Sequence, residues 1–261
     1  ILFILSVIIS YFNMKVLIKP LGKVSPYSLL NYFLISKVSS FFLPGRVGEF
    51  SLVYFLKKEK IRYGEGIATI AIDKIITTIA AIIVGILGVY YVFPSQNIIQ
   101  LMIYVLSGVI LAIIILSEKF RKIIRTFILR KYAYHFSGFS STLFTYHKKY
   151  PFAIIKNTGL TIIRMIVTAF AIKMMFLSIG TNLPVLILFL IGGIETMSTF
   201  IPLTINGLGI KQSVGIYFFN LIGVAPEIVA TRYVIGLGMQ YSFSLLTLLF
   251  VNIPKKVNKS S

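Results

Sequence analysis

Five stretches of this chain are long and apolar enough to cross a lipid bilayer as helices: residues 66–93, 98–117, 152–178, 183–201 and 227–251. The hydrocarbon core of a bilayer is about 30 Å thick and takes about 20 helical residues to span. The chain is 57% hydrophobic with a mean hydropathy of +0.92, whereas soluble domains are roughly half apolar. Strands of a membrane barrel would be shorter and would alternate apolar with polar residues. The expected fold class is therefore all-α, a polytopic membrane helical bundle.

Charge then sets orientation. Lys and Arg total 26 against seven Asp and Glu, a net charge of +19. In a chain built of apolar spans, this excess marks loops facing the cytoplasm and anionic lipid, not a nucleic-acid partner. Lys15, Lys19 and Lys23 accompany the first apolar run, and Lys57, Lys58, Lys60 and Arg62 form a second group. Residues 118–150 and the tail with Lys255, Lys256 and Lys259 are also basic. The connections near 94–97, 179–182 and 223–226 carry no Lys or Arg. The positive-inside rule places the first set in the cytoplasm, with the C-terminus, and the second outside. There is no Cys, which excludes disulfides and thiolate chemistry.

The crossings alternate correctly only if two regions turn back on the side they started from. Residues 25–62 start and end inside, and residues 183–226 start and end outside. Between Glu49 and Lys57 stand seven residues, FSLVYFL, a helix of only ~10 Å. The second returning segment, Ile210 to Ile222, is also short. Irregular backbone at membrane depth must be buried in protein or line a wet cavity. The two regions share residues. Ser40 and Phe42-Leu43-Pro44 match Ser198 and Phe200-Ile201-Pro202, while Ser51, Glu65 and Ala68-Thr69 match Ser213, Glu227 and Ala230-Thr231. Opposite orientation with shared sequence implies two re-entrant broken-helix motifs forming an inverted-topology repeat. The whole chain, 1–261, then forms one domain. Its halves are about 25–93 and 183–251, joined by an amphipathic cytoplasmic connector at about 118–150.

The breaks carry the chemistry. In Pro44-Gly45-Arg46-Val47-Gly48-Glu49, Pro interrupts a helix and Gly allows close backbone approach. A helix N-terminus beyond the break favours an anion, and Arg46 can grip phosphate with two parallel hydrogen bonds. An Arg46–Glu49 pair is the structural alternative. The second break, Thr204-Ile205-Asn206-Gly207-Leu208-Gly209-Ile210-Lys211-Gln212, repeats these parts with Asn206, Gly207, Gly209 and Lys211. Candidate lipid head-group ligands are thus Arg46, Gly48, Glu49, Asn206, Gly207, Gly209 and Lys211. Lys37, Asp73, Lys74, Arg164, Glu195 and Arg232 lie inside apolar runs, where charges face a bundle interior or cavity. Lys173 can snorkel to the interface, and Arg232, near the outer end of the last span, could face the outer mouth. His135 and His147 read as solvated.

PGRVGE, the following helix with Ile72-Asp73-Lys74, and the late Pro202…Gly207-Leu208-Gly209 resemble the lysylphosphatidylglycerol synthase transmembrane-region family. This is the flippase-like domain of the multiple peptide resistance factor, also found as stand-alone bacterial and archaeal proteins. The family's Gly-Gly-Leu-Gly-x-x-Glu run departs here to Asn206-Gly207-Leu208-Gly209-Ile210-Lys211-Gln212, so Gln212 replaces the usual acid. The family usually has one more N-terminal span, and the chain begins Ile-Leu-Phe, so a preceding span is expected. The resemblance implies a cell-membrane protein that translocates an anionic, aminoacylated or polyprenyl-linked lipid head group between leaflets. The alternative is a module that binds lipid or polyprenyl phosphate and presents it to a separate glycosyl- or aminoacyl-transferase. No nucleotide loop, zinc-ligand cluster or soluble transferase domain is visible. An enzyme is therefore the weaker reading, and no cofactor or metal is expected.

Overall fold

The computed structural model describes residues 1–43, 47–92, 139–199 and 208–251. Among them the chain forms helices and no strand. α1 (Leu2–Ile18) leads to α2 (Pro26–Phe42), then to a single 3-10 turn (Val47–Phe50), the short α3 (Ser51–Lys58) and the long α4 (Tyr63–Val92). After α5 (Phe139–Lys149) come α6 (Pro151–Ser178), α7 (Val185–Ser198), α8 (Ile210–Leu221) and α9 (Pro226–Phe250). Pro26, Pro151 and Pro226 each open a helix, where a missing N–H breaks no intrahelical bond. At α2 the Ser25 hydroxyl also accepts the Ser28 N–H at 3.0 Å.

α4, α6 and α9 are long and apolar enough to cross a membrane. The run at 183–201 is not one spanning helix. α7 stops at Ser198 after 14 residues, about 21 Å, with Thr199 as its C-cap. The run at 98–117 and the basic tail lie outside the described residues.

Two helical hairpins dominate the arrangement. In the first, α3 folds back along α2. Ser51 Oγ meets Ser36 Oγ at 2.9 Å, the Phe55 and Tyr32 rings stack at 5.1 Å, and the Tyr32 hydroxyl donates to Glu59 Oε1 at 3.0 Å. Gly48 makes the turn possible. A Cβ there would stand 2.3 Å from Ser39 C and Ser40 N. In the second hairpin, Gly209 has φ +90°, a conformation that favours glycine. Gln212 Oε1 accepts the Gly209 N–H at 2.7 Å, capping α8. Phe219 of α8 then buries in one apolar cluster with Leu188 and Ile191 of α7.

The order helix, break, short helix, long helix occurs twice, as α2–α3–α4 and as α7–α8–α9. Ser51 opens α3, whereas Ser213 is the fourth residue of α8. The Thr69 hydroxyl donates to the Glu65 carbonyl at 3.0 Å, and the Thr231 hydroxyl donates to the Glu227 carbonyl at 2.7 Å. α4 and α7 cross closely through small residues, since a Cβ on Gly193 would lie 2.8 Å from Gly85 N. On its other side α4 turns Ile79, Ile83, Leu87 and Tyr90 outward. Small residues within and large apolar ones without suit a helix packed in lipid, where close van der Waals contact drives association.

Of the expected connector, residues 118–138 lie outside the described residues. α5 is docked on the bundle through Tyr146, which is 1% exposed and whose hydroxyl donates to the Leu17 carbonyl. Burial pushes the Tyr146 phenol up to about 12. His147, Lys148 and Lys149 at the end of this helix are exposed.

Candidate functional site

Five charged residues from four elements meet at one cleft of about 380 Å³, including its open mouth. Lys37 comes from α2, Glu49 from the 3-10 turn, Asp73 and Lys74 from α4, and Arg164 from α6. The hairpin positions the first two. Folding α3 back along α2 brings Glu49 against the middle of α4, where it pairs with Lys74. The same ammonium lies 3.4 Å from Asp73 Oδ2. Lys74 therefore sits between a half-buried acid at the cleft and a buried acid behind it; Asp73 is only 3% exposed.

Arg164 is placed differently. Its guanidinium donates to Thr77 Oγ1 at 3.1 Å and reaches Ser10 Oγ at 3.5 Å. Both partners are neutral hydroxyls, and no carboxylate pairs with Arg164 among the described residues. A guanidinium inside a membrane-spanning helix is costly without a counter-charge. Held by two hydroxyls on a cleft wall, it keeps N–H donors and a full positive charge available to an anion.

A second cluster forms on α7, α8 and α9. Arg232 Nη1 and Nη2 donate to Glu195 Oε1 and Oε2 at 3.1 and 3.3 Å. The Tyr233 hydroxyl donates to Glu195 Oε1 at 2.8 Å. Lys211 Nζ stands 3.8 Å from Glu195 Oε2. Arg232 also lies over the Tyr233 ring, 4.2 Å from its centroid. Glu195 and Arg232 are 2% and 3% exposed. The expectation that Arg232 faces an outer mouth is thus corrected: its two-pronged bond to Glu195 holds it inside the bundle.

The sequence spacing sets the charges of the two clusters side by side in exchanged order. Lys37 and Glu195 are separated by the same 158 positions as Ser40 and Ser198, and Glu49 and Lys211 by the same 162 as Ser51 and Ser213. Where the first hairpin has a base before the break and an acid after it, the second has an acid and then a base.

The sequence pattern described as "Lysylphosphatidylglycerol synthase TM region" matches residues 1–247. The chain belongs to that family. Neither a curated protein nor a solved structure matches it. Among the residues that the sequence of this lysylphosphatidylglycerol synthase TM-region protein singles out, the cleft gathers Lys37, Glu49, Asp73, Lys74 and Arg164. The second cluster takes Lys211, Glu195 and Arg232. Gly48 and Gly209 shape the two turns. Arg46, Asn206 and Gly207 lie outside the described residues, so the Arg46–Glu49 pairing does too. Gln212 caps α8 through its carbonyl oxygen, a bond that needs no carboxylate.

Sequence reading passed over Ser10, Asn13, Thr77, Asn157 and Thr161, the neutral polar residues at and around the cleft wall. Their signal was available. Asn13 and Asn157 interrupt apolar runs, and an amide buried there needs hydrogen-bond partners.

Proposed function

We propose that this protein carries an anionic lipid head group between leaflets, with the cleft around Arg164 receiving the phosphate and the acyl chains remaining in the surrounding lipid. The single observation behind this reading is the Arg164 guanidinium, held on the cleft wall by hydroxyls alone. Lys37 and Lys74 add positive charge, while Glu49 and Asp73 offer acceptors to a head-group amine. An aminoacylated phospholipid or an amine-bearing polyprenyl-linked lipid fits that mixture. The hairpins would turn back within the membrane from opposite sides, exposing the two clusters alternately.

Leaflet movement of a short-chain fluorescent phosphatidylglycerol in proteoliposomes tests the reading. Arg164→Gln is expected to slow it about 10- to 100-fold, the equivalent of one or two lost charge-assisted hydrogen bonds. Arg164→Lys should fall between, since the charge stays but the planar fork is lost. Lys148→Gln, on the exposed face of α5, should match the unaltered protein. Equal rates for Arg164→Gln and the unaltered protein, at equal reconstitution, would remove Arg164 from the mechanism. Lipid binding without any leaflet movement would instead favour a module that presents lipid to a separate transferase.

The orientation has its own test in this Cys-free chain. A single cysteine at Lys57→Cys should react with an impermeant maleimide from the cytoplasmic side, and one at Ala225→Cys from outside. Reaction of both from one side would refute the opposed hairpins.

A further inference from the structure

At the cleft's inner wall, Asp73 of α4, which lines it, meets Asn13 of α1 and Asn157 and Thr161 of α6 where the three helices pack. Their exposures are 3%, 1%, 0% and 0%. Asn157 Nδ2 donates to Asp73 Oδ1 and to the Asn13 carbonyl, each at 3.2 Å. Asn13 Nδ2 donates to Thr161 Oγ1 at 3.2 Å. The nitrogen ends of both amides are therefore used. Both oxygen ends, Asn13 Oδ1 and Asn157 Oδ1, are buried with no hydrogen-bond partner among the described residues.

Rotating the amides does not remove the problem. Turning Asn157 over would press its oxygen against the Asp73 carboxylate and the Asn13 carbonyl, both acceptors. Turning Asn13 over would let it accept from the Thr161 hydroxyl but would leave its NH₂ group without an acceptor. Either way a polar atom stays unmatched, and proteins rarely leave buried polar atoms so. Two amide oxygens, a carboxylate, a hydroxyl and a main-chain carbonyl form a collection of hard oxygen donors, the set that a hard cation takes. One carboxylate balances one positive charge, and a divalent ion would leave charge uncompensated in the interior.

We propose that Asp73, Asn13 and Asn157 form a sodium-ion site, coupled to the cleft through Lys74. The site itself stands on the unmatched amide oxygens. The coupling rests on the reading of the cleft as a phosphate receiver. Lys74 Nζ contacts Asp73 at 3.4 Å and also pairs with Glu49 at the cleft. A phosphate entering the cleft draws Lys74 forward. Asp73, buried, then loses its counter-charge, and a sodium ion on the amide oxygens replaces it. Phosphate and sodium thus favour each other's binding, and the effect is reciprocal by thermodynamic necessity. A sodium gradient would then drive head-group movement in a chain that shows no nucleotide-binding loop.

The test is binding of radioactive sodium to the full chain in nanodiscs, with potassium and choline as competitors. The zwitterionic nanodiscs are made with and without phosphatidylglycerol. Saturable binding that choline does not displace is expected, tightening about tenfold or more when phosphatidylglycerol is present. Lys74→Gln removes the ammonium that competes for Asp73. It should bind sodium at least about tenfold more tightly without phosphatidylglycerol and lose the lipid dependence, a gain that a merely structural role for Lys74 would not produce. Asn157→Leu and Asp73→Asn should abolish binding. Should either fail to fold, the Lys74→Gln gain still decides. Absence of saturable sodium binding in both the unaltered protein and Lys74→Gln overturns the site, as does equal displacement by choline. Tight sodium binding in Lys74→Gln with no lipid effect in the unaltered protein keeps the site and overturns the coupling, and with it the placing of phosphate beside Lys74.

Discussion

Glu195→Ala is expected to destabilise the protein by about 3–5 kcal/mol, the usual consequence of stranding one partner of a buried ion pair. Arg232 would remain 3% exposed, with the Tyr233, Phe176 and Phe219 rings within 4.2, 5.9 and 5.9 Å of its guanidinium carbon and no carboxylate between its nitrogens. The rings offset a little of that charge, but cation–π contact contributes only about 0.5–2 kcal/mol. Lys211 does not alter the outcome, since it lies 3.8 Å from Glu195 and is 37% exposed. Removing both charges together should be far milder. Glu195→Leu with Arg232→Met leaves no uncompensated ion, so most of the lost stability should return. Unfolding in detergent, followed by thermal and denaturant titration, measures both. A Glu195→Ala variant within about 0.5 kcal/mol of the unaltered protein would mean that the pair is not buried as described.

Gly48→Ala should disrupt the first hairpin. The added Cβ would stand 2.3 Å from Ser39 C and Ser40 N and 2.5 Å from Ser39 O. These are backbone atoms of α2, so no side chain can swing aside. The 3-10 turn must lift off α2, breaking the Ser36–Ser51 hydrogen bond and withdrawing Glu49 from Lys74. Overpacking costs about 1–3 kcal/mol when side chains can rearrange, and about 3 kcal/mol or more is expected here. Gly159→Ala is the control. Nothing lies within 4 Å of its would-be Cβ, and in mid-helix alanine should stabilise by up to about 1 kcal/mol. The yield of monodisperse protein after detergent extraction separates the two. Equal yields for Gly48→Ala and Gly159→Ala would refute the close approach.

Much of this was legible in the sequence because it depends on local rules. Seven residues between Glu49 and Lys57 cannot span a bilayer, and α3 is indeed an eight-residue helix. The charges inside apolar runs were found as single positions for the same reason, since an ion in lipid is conspicuous. Their pairing was not legible. Glu195 and Arg232 meet across 37 positions, and nothing in either helix's pattern says which face turns inward. Position near the outer end of a span allows Arg232 to face the outer mouth, and only the partner helix shows that it turns inward. Asn13, Asn157 and Thr161 were missed because neutral polar residues barely alter a hydropathy profile, although burial makes each as demanding of partners as a charge.

The crossing of α4 and α7 has a mechanical consequence. Between Gly85 and Gly193 the two backbones approach closely, with the Val84 and Met197 side chains beside them. Pulling the two apart would open a void along both helices, which a close-packed interior resists. Tilting them about that point leaves the contact made. A tilt there would use the crossing as a fulcrum with unequal arms. From Gly85 back to Tyr63 is 22 positions, and forward to Val92 is seven, arms of about 33 and 10 Å. A tilt of about 5° would move the Tyr63 end by about 3 Å and the Val92 end by about 1 Å, the scale of known helix shifts. Asp73 and Lys74 ride on the long arm, so a small rotation at two glycines is magnified where the charges are.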